Sequence, residues 1–386
     1  MSDALPAEEM HRRSSSSVQT AKIDESGQRI RSLDGLRAVS ICLVMVSHLF
    51  GTRGFLPETG LASVFELGEL GVRVFFVISG FLITSIVLRE LESSGRIRLS
   101  KFYFRRTVRI FPPYYAFLTL LVLLTLLGVL NLTSADEFHA LTYTSNYFPQ
   151  RSWSVAHTWS LAVEEQFYLL WPATLLLTGK RKALGLALAV ILVSPFLRLI
   201  LWRFSASPSM EIGIRFETIA DSIATGCLLS GFRQWLHRQT LYNRLLSSKL
   251  FFLVPALVLV ANAVHDRPRL SFFFGFTIMN VGIALSIDWC LRNSFGWTGR
   301  FLNARPVVFI GVISYSVYLW QQIFLNRYSD AIFCRFPLNF ICAIAAALLS
   351  FWLIERPSLA LRQRIERLVF VPSRQVVSVP LGEGEI

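Results

Sequence analysis

Long apolar segments, separated by short polar loops, follow one another along most of this 386-residue chain. A membrane-spanning helix needs about 20 mostly apolar residues and satisfies its backbone hydrogen bonds within the segment. Ten stretches fit this description approximately, at residues 36–55, 69–89, 111–130, 159–178, 183–203, 217–236, 250–264, 271–291, 307–326 and 334–354. The sequence therefore predicts an all-α, polytopic membrane protein with about ten transmembrane helices.

The composition excludes several other classes of protein. Apolar residues make up 53% of the chain and charged residues only 16%, whereas soluble domains are about a quarter charged. The net charge of +13 comes from short basic runs between apolar segments, which indicates a lipid bilayer as partner and no nucleic acid. Five cysteines lie in or beside apolar segments without paired spacing. Neither a disulfide nor a metal site is predicted.

The distribution of lysine and arginine predicts the orientation. If the N-terminus is cytoplasmic, 28 of the 38 basic residues fall on the cytoplasmic side, as the positive-inside rule requires. We therefore expect a multi-pass protein of the inner (plasma) membrane with both termini in the cytoplasm. We predict a disordered cytoplasmic tail at residues 1–30. A single membrane domain should follow at residues 31–357, and a cytoplasmic C-terminal tail at residues 358–386.

The first apolar segment contains an ionisable residue. Between Ser40 and Phe50, His48 is the one residue that is neither apolar nor small, and ionisable groups inside the hydrocarbon are costly and commonly functional. Arg37 lies three helical turns plus about 20° earlier, so the two side chains should share a face about 16 Å apart. That spacing suits a long, thin ligand with an anionic cytoplasmic end. The alternative is a core histidine hydrogen-bonded to a neighbouring helix.

Two adjacent carboxylates, Glu164 and Glu165, stand near the outer end of the fourth segment. Both cannot face lipid cheaply, so at least one should point into a polar cavity. Ser160, Glu164 and Tyr168 share a helical face. Glu164 could hold His48 in its productive tautomer, with Glu165 as the reserve. The alternative is an interfacial anchor whose glutamate faces outer water.

A basic and aromatic run occupies residues 101–113. Arg106 and Arg109 are three positions apart and therefore neighbours on a helix, and paired guanidinium groups bind phosphates in a bidentate manner. The alternative is a basic loop that sets topology or binds anionic lipid heads. Ser79 and Gly80 interrupt the second segment, where small residues permit the close approach of a helix or a ligand.

In their order and spacing, these motifs resemble the acyltransferase 3 family of integral membrane O-acyltransferases. The resemblance covers residues 31–357 and rests on the motifs SLDGLRAVSICLVMVSH, GVRVFFVISGFLIT, FYFRRTVRIFPPYY, HTWSLAVEEQFYLLWP, ADSIATGCLL, ISYSVYLW and IERP. Arg37 and His48 match the family's arginine-to-histidine spacing, and Arg106 and Arg109 match its paired arginines.

Two positions depart from the family pattern. Ile219 stands where members usually have an arginine two residues before the aspartate, so a charged pair at Asp221 is not expected. Gln321 stands where many members have a histidine after the YLW motif.

The resemblance implies transfer of an acyl group, most often acetyl, from cytoplasmic acyl-CoA to a hydroxyl of a carbohydrate such as a surface polysaccharide, lipopolysaccharide or exopolysaccharide. Acetyl-CoA would be a donor substrate, and no permanently bound cofactor is expected. The expected donor-binding residues are Arg37, Arg106, Arg109, Ser79 and Gly80, and the expected catalytic residues are His48, Glu164 and Glu165. His48 could act as the general base or as the nucleophile that carries the acyl group. The base is favoured because it needs a single proton transfer.

Two other functions are compatible with the sequence. A transporter or exporter of a glycan or metabolite could use His48 and Glu164 as a proton relay, but it would leave Arg106 and Arg109 without a task. A catalytically inactive membrane partner would explain the two departures. Transfer of label from acetyl-CoA separates the enzyme from both.

Overall fold

The computed structural model describes residues 30–57, 66–204 and 209–369. Within these residues the chain is helical and contains no β-strand, so the predicted all-α class is confirmed. The predicted N-terminal tail, apart from residue 30, and residues 370–386 of the predicted C-terminal tail lie outside the described residues.

Sixteen α-helices are present in the described ranges. They are α1 Arg31–Leu49, α2 Leu67–Ser94, α3 Leu99–Leu126, α4 Ser134–Leu141, α5 Trp153–Ala156, α6 Thr158–Phe204, α7 Ser209–Gly213, α8 Phe216–Leu236, α9 Thr240–Ser247, α10 Leu253–Asn262, α11 Pro268–Leu270, α12 Phe276–Arg292, α13 Trp297–Leu302, α14 Arg305–Phe324, α15 Leu338–Ser350 and α16 Arg356–Val369. Short 3₁₀ turns occur at Ser145–Tyr147, Lys249–Phe252 and Ile332–Cys334, and π-helical turns at Ser271–Gly275 and Phe351–Glu355.

In the part of the chain that the structure describes, seven helical stretches are long and apolar enough to cross a membrane, and the bent pair Thr240–Ser247 and Lys249–Ala263 brings the number to eight. The stretch Trp153–Phe204 is 52 residues long and is broken at Gly179, where a φ of 77° departs from helical geometry and suits glycine. It therefore contains two of the predicted segments. The polytopic helical class is confirmed, while the count of ten and the orientation of the termini stay predictions.

The long helices pack side by side in a continuous series. α15 packs on α14, α14 on α1, α1 on α2 and α2 on α8, while α6 and α12 also contact α8. Because α1 lies between α14 and α2, the segment with Arg37 and His48 has neighbours on two sides.

Glycines permit the closest of these contacts. α2 and α8 cross at Gly80 and Gly226, where an added Cβ would overlap the carbonyl oxygens of Ile223 and Val77. α14 meets α1 at Gly311, where a Cβ would overlap the backbone of Asp34. Small residues allow backbones to approach in this way.

Asp136 organises the connection between α3 and α6. Its backbone N–H donates to the Thr133 hydroxyl at 3.1 Å, and its carboxylate accepts from the Thr133 backbone N–H at 3.0 Å, which is a capping box. The same carboxylate accepts hydrogen bonds from the Ser152 backbone N–H at 2.9 Å and hydroxyl at 2.6 Å. Burial raises the pKa of this carboxyl, but the hydrogen bonds from Ser152 and Thr133 outweigh burial and leave it below its ordinary value. The start of α5 at Trp153 is fixed as a result.

α16 begins at the end of the predicted membrane domain and continues into the predicted C-terminal tail, which is helical as far as Val369. Glu366 accepts a hydrogen bond from Arg105 of α3 at 2.6 Å, while Leu361 and Leu368 are exposed. A helix with charged and apolar faces of this kind is typical of the membrane interface.

Candidate active site

A cavity whose wall carries charged and hydroxyl side chains lies between α1, α2, α3, α6 and α14. It is lined by Arg37, Val72, Phe75, Phe76, Ser79, Arg106, Arg109, Ile110, Ser160, Leu161, Glu164, Glu165, Tyr168, Ser314, Tyr315 and Tyr318. Six residues predicted for the site from four separate segments are therefore brought together. Intramembrane polar side chains have to face a cavity or one another, which is why segments distant in sequence converge here.

Three arginines give the cavity a cationic region. Arg37 lies 3.7 Å from the Asp34 carboxylate one turn earlier, and the Arg106 guanidinium carbon lies 3.5 Å from the centre of the Tyr168 ring. The Nε of Arg106 is buried and makes no hydrogen bond within the described ranges. Arg109 shares the cavity wall with both. These side chains can bind an anionic ligand such as a phosphate.

Ser79 connects the cationic region to the carboxylates of α6. Its hydroxyl donates to Glu164 Oε1 at 2.7 Å and accepts from the Tyr168 hydroxyl at 3.1 Å. Ser160, Glu164 and Tyr168 all line the cavity, in agreement with the helical face predicted for them. Glu165 lines the cavity as well.

Gly80 is placed differently from its neighbour Ser79. It lies at the crossing of α2 and α8, pressed against the backbone of Ile223, and it is not in the cavity wall. Gly80 therefore packs against α8, because helical rotation directs adjacent residues to different neighbours, and its contact with the donor stays a prediction.

His48, eleven residues after Arg37 on α1, is not among the residues that line this cavity. Its Nδ1 is 2.7 Å from Oε1 of Gln321 on α14, and its ring packs edge-on against Trp153 with centroids 5.6 Å apart. The orienting contact predicted for Glu164 is made by Gln321, since Glu164 is hydrogen-bonded to Ser79 instead. The sequence signal for Gln321 was its departure from the family pattern.

Ser160 and Tyr318 lie in the cavity wall between these two regions. Their hydroxyl oxygens are 2.5 Å apart, and each lies 3.1 Å from the backbone carbonyl oxygen of His157, so that one hydroxyl donates to the other and the second donates to the carbonyl. Tyr318 precedes Gln321 by one turn of α14, so this contact lies near the boundary between the cavity and the surroundings of His48. Neither His157 nor Tyr318 was predicted as a site residue.

A second buried polar cluster lies between α2, α6, α8 and α12. Arg198 donates to Asp221 Oδ2 from both terminal nitrogens at 3.0 Å, and both side chains are fully buried. The expectation that Asp221 has no charged partner is therefore wrong, because α6 supplies the arginine that α8 lacks at Ile219. Arg73 of α2 is also fully buried. The sequence signal for both arginines was an isolated charge inside an apolar segment, the same signal that identified His48.

Helices that enclose a polar cavity within an apolar bundle define an integral membrane protein with an intramembrane site. The family profile described as an acyltransferase domain matches residues 30–356. The chain therefore belongs to the acyltransferase 3 family.

Two relatives illustrate the similarity. A Staphylococcus aureus protein that carries a provisional O-acetyltransferase name is 31% identical over 316 residues, which cover 76% of this chain and 50% of that protein. The peptidoglycan O-acetyltransferase of Listeria monocytogenes is 26% identical over 372 residues, which cover 86% of this chain and 56% of that protein. The chain spans about half the length of the curated relatives it matches. No solved structure matches it significantly.

Proposed function

We propose that this protein is a membrane-embedded O-acyltransferase that moves an acetyl group from cytoplasmic acetyl-CoA to a hydroxyl of a carbohydrate acceptor at the cell surface. Family membership supports acyl transfer. The names of the relatives support acetyl as the group and a glycan as the acceptor. The proposal places the protein in the inner membrane with the Arg37 end of α1 on the cytoplasmic side.

The single observation that carries the proposal is that Arg37, in the cavity wall, and His48 lie three turns apart on the same helix. Arg37 lines the cationic cavity, and His48 lies eleven residues, or about 16 Å, further along α1. A donor with an anionic head and a narrow arm fits this arrangement, because its phosphates and its reactive thioester have to be bound far apart. Acetyl-CoA has that shape and charge.

The cavity residues would hold the donor. Arg37, Arg106 and Arg109 supply guanidinium groups for its phosphates, and the stacking of Arg106 on Tyr168 fixes the plane of one of them. Ser79 holds Glu164 in the wall, where a carboxylate offsets part of the positive charge. We infer that this partial neutralisation of the arginines allows the cavity to release free CoA, which is anionic.

His48 would act as the general base. Donation of Nδ1–H to Gln321 Oε1 sets the tautomer in which Nε2 carries the lone pair, and this lone pair would take the proton of the acceptor hydroxyl. The hydroxyl oxygen then attacks the thioester carbonyl carbon, the bond between that carbon and sulfur breaks, and His48 returns the proton to the departing thiolate. The products are the acetyl ester and free CoA, so atoms and charges balance without a further reactant.

Glycan export with a proton relay through His48 and Glu164 receives less support. The two side chains are hydrogen-bonded to different partners, Gln321 and Ser79. The hydroxyls of Ser160 and Tyr318 meet near the boundary between the cavity that Glu164 lines and the surroundings of His48. A proton relay would need a connected chain of donors and acceptors between His48 and Glu164.

The test is a transfer assay with the purified protein in lipid vesicles. Acetyl-CoA carrying labelled acetyl is added on the Arg37 side, soluble glycan fragments of peptidoglycan are added on the opposite side, and both labelled glycan and free CoA are measured. We expect ester formation and CoA release in equal amounts. Movement of glycan across the vesicle without ester formation would favour the exporter, and no turnover of either kind would favour an inactive partner.

A further inference from the structure

A run of three aromatic rings lies at the Leu49 end of α1. The His48 and Trp153 rings meet edge-on at a centroid distance of 5.6 Å, and Trp153 meets Tyr328 edge-on at 5.2 Å. The Tyr328 side chain is 77% exposed. The run therefore begins at the candidate base and ends at the surface.

Trp153 is fixed by reciprocal hydrogen bonds with α14. Its indole N–H donates to the backbone carbonyl of Gln322 at 3.0 Å, and the Gln322 amide donates to the backbone carbonyl of Trp153 at 2.6 Å. The residue before it, Ser152, is bonded to Asp136. An indole bound to a neighbouring helix differs from a tryptophan that anchors a helix in lipid headgroups, whose N–H faces the polar interface.

The loop after α14 fixes the outer part of the run. The backbone N–H of Tyr328 donates to the Asn326 side chain at 2.9 Å. Arg327 donates to the backbone carbonyl of Ser47 at 3.2 Å, and its guanidinium carbon lies 5.4 Å from the centre of the Trp153 ring. The residue next to His48 is thereby connected to the same loop as Tyr328.

This loop is also joined to the segment that follows α1. Arg53 forms an ion pair with Asp330, and its backbone carbonyl accepts a hydrogen bond from the N–H of Phe336 at 2.8 Å. The surroundings of Tyr328 are therefore held by contacts on two sides.

We propose that Trp153 and Tyr328 form a subsite that binds a pyranose ring of the carbohydrate acceptor and presents one of its hydroxyls to His48. The inference rests on the proposed function and adds the residues that recognise the acceptor. A pyranose ring has an apolar face of C–H groups that packs on aromatic rings, while the phenol of Tyr328 offers a hydrogen-bonding group at the rim. Adjacency to His48 distinguishes this pair from aromatic residues elsewhere at the membrane surface.

The experiment separates binding from transfer. The full-length protein in detergent micelles is titrated with soluble glycan fragments of peptidoglycan, and binding is followed by saturation-transfer NMR of the sugar protons. Labelled acetyl transfer is measured on the same samples. The variants are Tyr328→Ala, Tyr328→Phe and, as a matched control, Phe138→Ala. Phe138 is an aromatic residue of α4 that is 60% exposed.

We expect Tyr328→Ala to weaken glycan binding and raise the acceptor KM about three- to tenfold, the range that one aromatic contact contributes. The KM for acetyl-CoA should stay unchanged, because the donor cavity is elsewhere. Tyr328→Phe should retain most of the binding, and Phe138→Ala should behave as the unchanged protein.

Failure of this inference differs from failure of the proposed function. Absence of glycan binding by the unchanged protein, or equal binding by Tyr328→Ala, would overturn the subsite. Equal weakening by Phe138→Ala would also overturn it. Glycan binding that depends on Tyr328 without any acetyl transfer would support the subsite and contradict the acyltransferase proposal.

Discussion

The Nδ1 atom of His48 on α1 lies 2.7 Å from the Oε1 atom of Gln321 on α14. Gln321 is fully buried, and its Nε2 has no partner within the described ranges. The amide oxygen faces the imidazole and can hold the ring in one tautomer without adding a charge.

Replacement of Gln321 by Leu should lower acetyl transfer about ten- to hundredfold, the effect of leaving a buried hydrogen-bonding group without a partner. Gln321→Glu keeps an acceptor oxygen at the same place and should retain more activity than Gln321→Leu. The kcat of transfer measures both variants, with acetyl-CoA affinity as the check that the fold is kept. Equal kcat values in Gln321→Leu and the unchanged protein would show that His48 does not need this contact.

Donor binding should depend on the planar guanidinium group of Arg109. Arg109→Lys keeps the charge but loses the bidentate fork, so we expect its affinity for acetyl-CoA to fall. In Arg109→Ala the affinity should fall by about tenfold or more. Isothermal titration of acetyl-CoA into the purified protein measures the change. Arg105→Lys is the matched control, because Arg105 lies on the same helix and bonds Glu366 outside the cavity. Unchanged affinity in both Arg109 variants would remove this residue from the phosphate site.

The buried pair of Arg198 and Asp221 should matter for stability. Asp221→Leu leaves an uncompensated buried charge and should lower the free energy of unfolding by about 3–5 kcal/mol. The double variant that adds Arg198→Met removes that charge and should be more stable than Asp221→Leu alone. Unfolding in mixed micelles measures both, with the exposed Arg203→Met as control. A single variant as stable as the unchanged protein would show that the pair is dispensable.

The basic residues predict that both termini are cytoplasmic, because 28 of the 38 then lie on the cytoplasmic side. In a cysteine-free background, a cysteine at Ser17 and another after Ile386 should both resist an impermeant thiol reagent applied outside intact cells. Both should react once the membrane is permeabilised. A cysteine at Gly54 is the matched outer control. Labelling of either terminal cysteine from outside would show that the orientation is reversed or that the number of spans is odd.

Much of the site could be predicted because the membrane restricts where polar groups can lie. Arg37, Arg106, Arg109 and Glu164 stand out as charges in or beside apolar helices, and such groups have to converge on a cavity. That these residues share a cavity can therefore be predicted without knowledge of how the helices pack.

The partners of these groups could not be predicted in the same way. Gln321 is neutral and stands 273 residues from His48, so only the packing of α14 on α1 identifies it as the partner of His48. Asp221 was compared with an expected partner in its own helix, whereas Arg198 comes from α6. Gly80 was separated from Ser79 by the rotation of α2, which sequence adjacency conceals. Pairing across helices depends on crossing geometry, and the hydrophobic pattern does not specify it.

The most direct test of the account is the rate of acetyl transfer by His48→Gln. Glutamine is close in size to histidine and can still bond Gln321, but it cannot accept and return a proton. His139→Gln, a histidine replacement on α4, is the control. We predict that His48→Gln folds and binds acetyl-CoA normally while its transfer rate falls about 10²- to 10⁴-fold. A well-folded His48→Gln protein that transfers acetyl groups at nearly the unchanged rate would contradict the account.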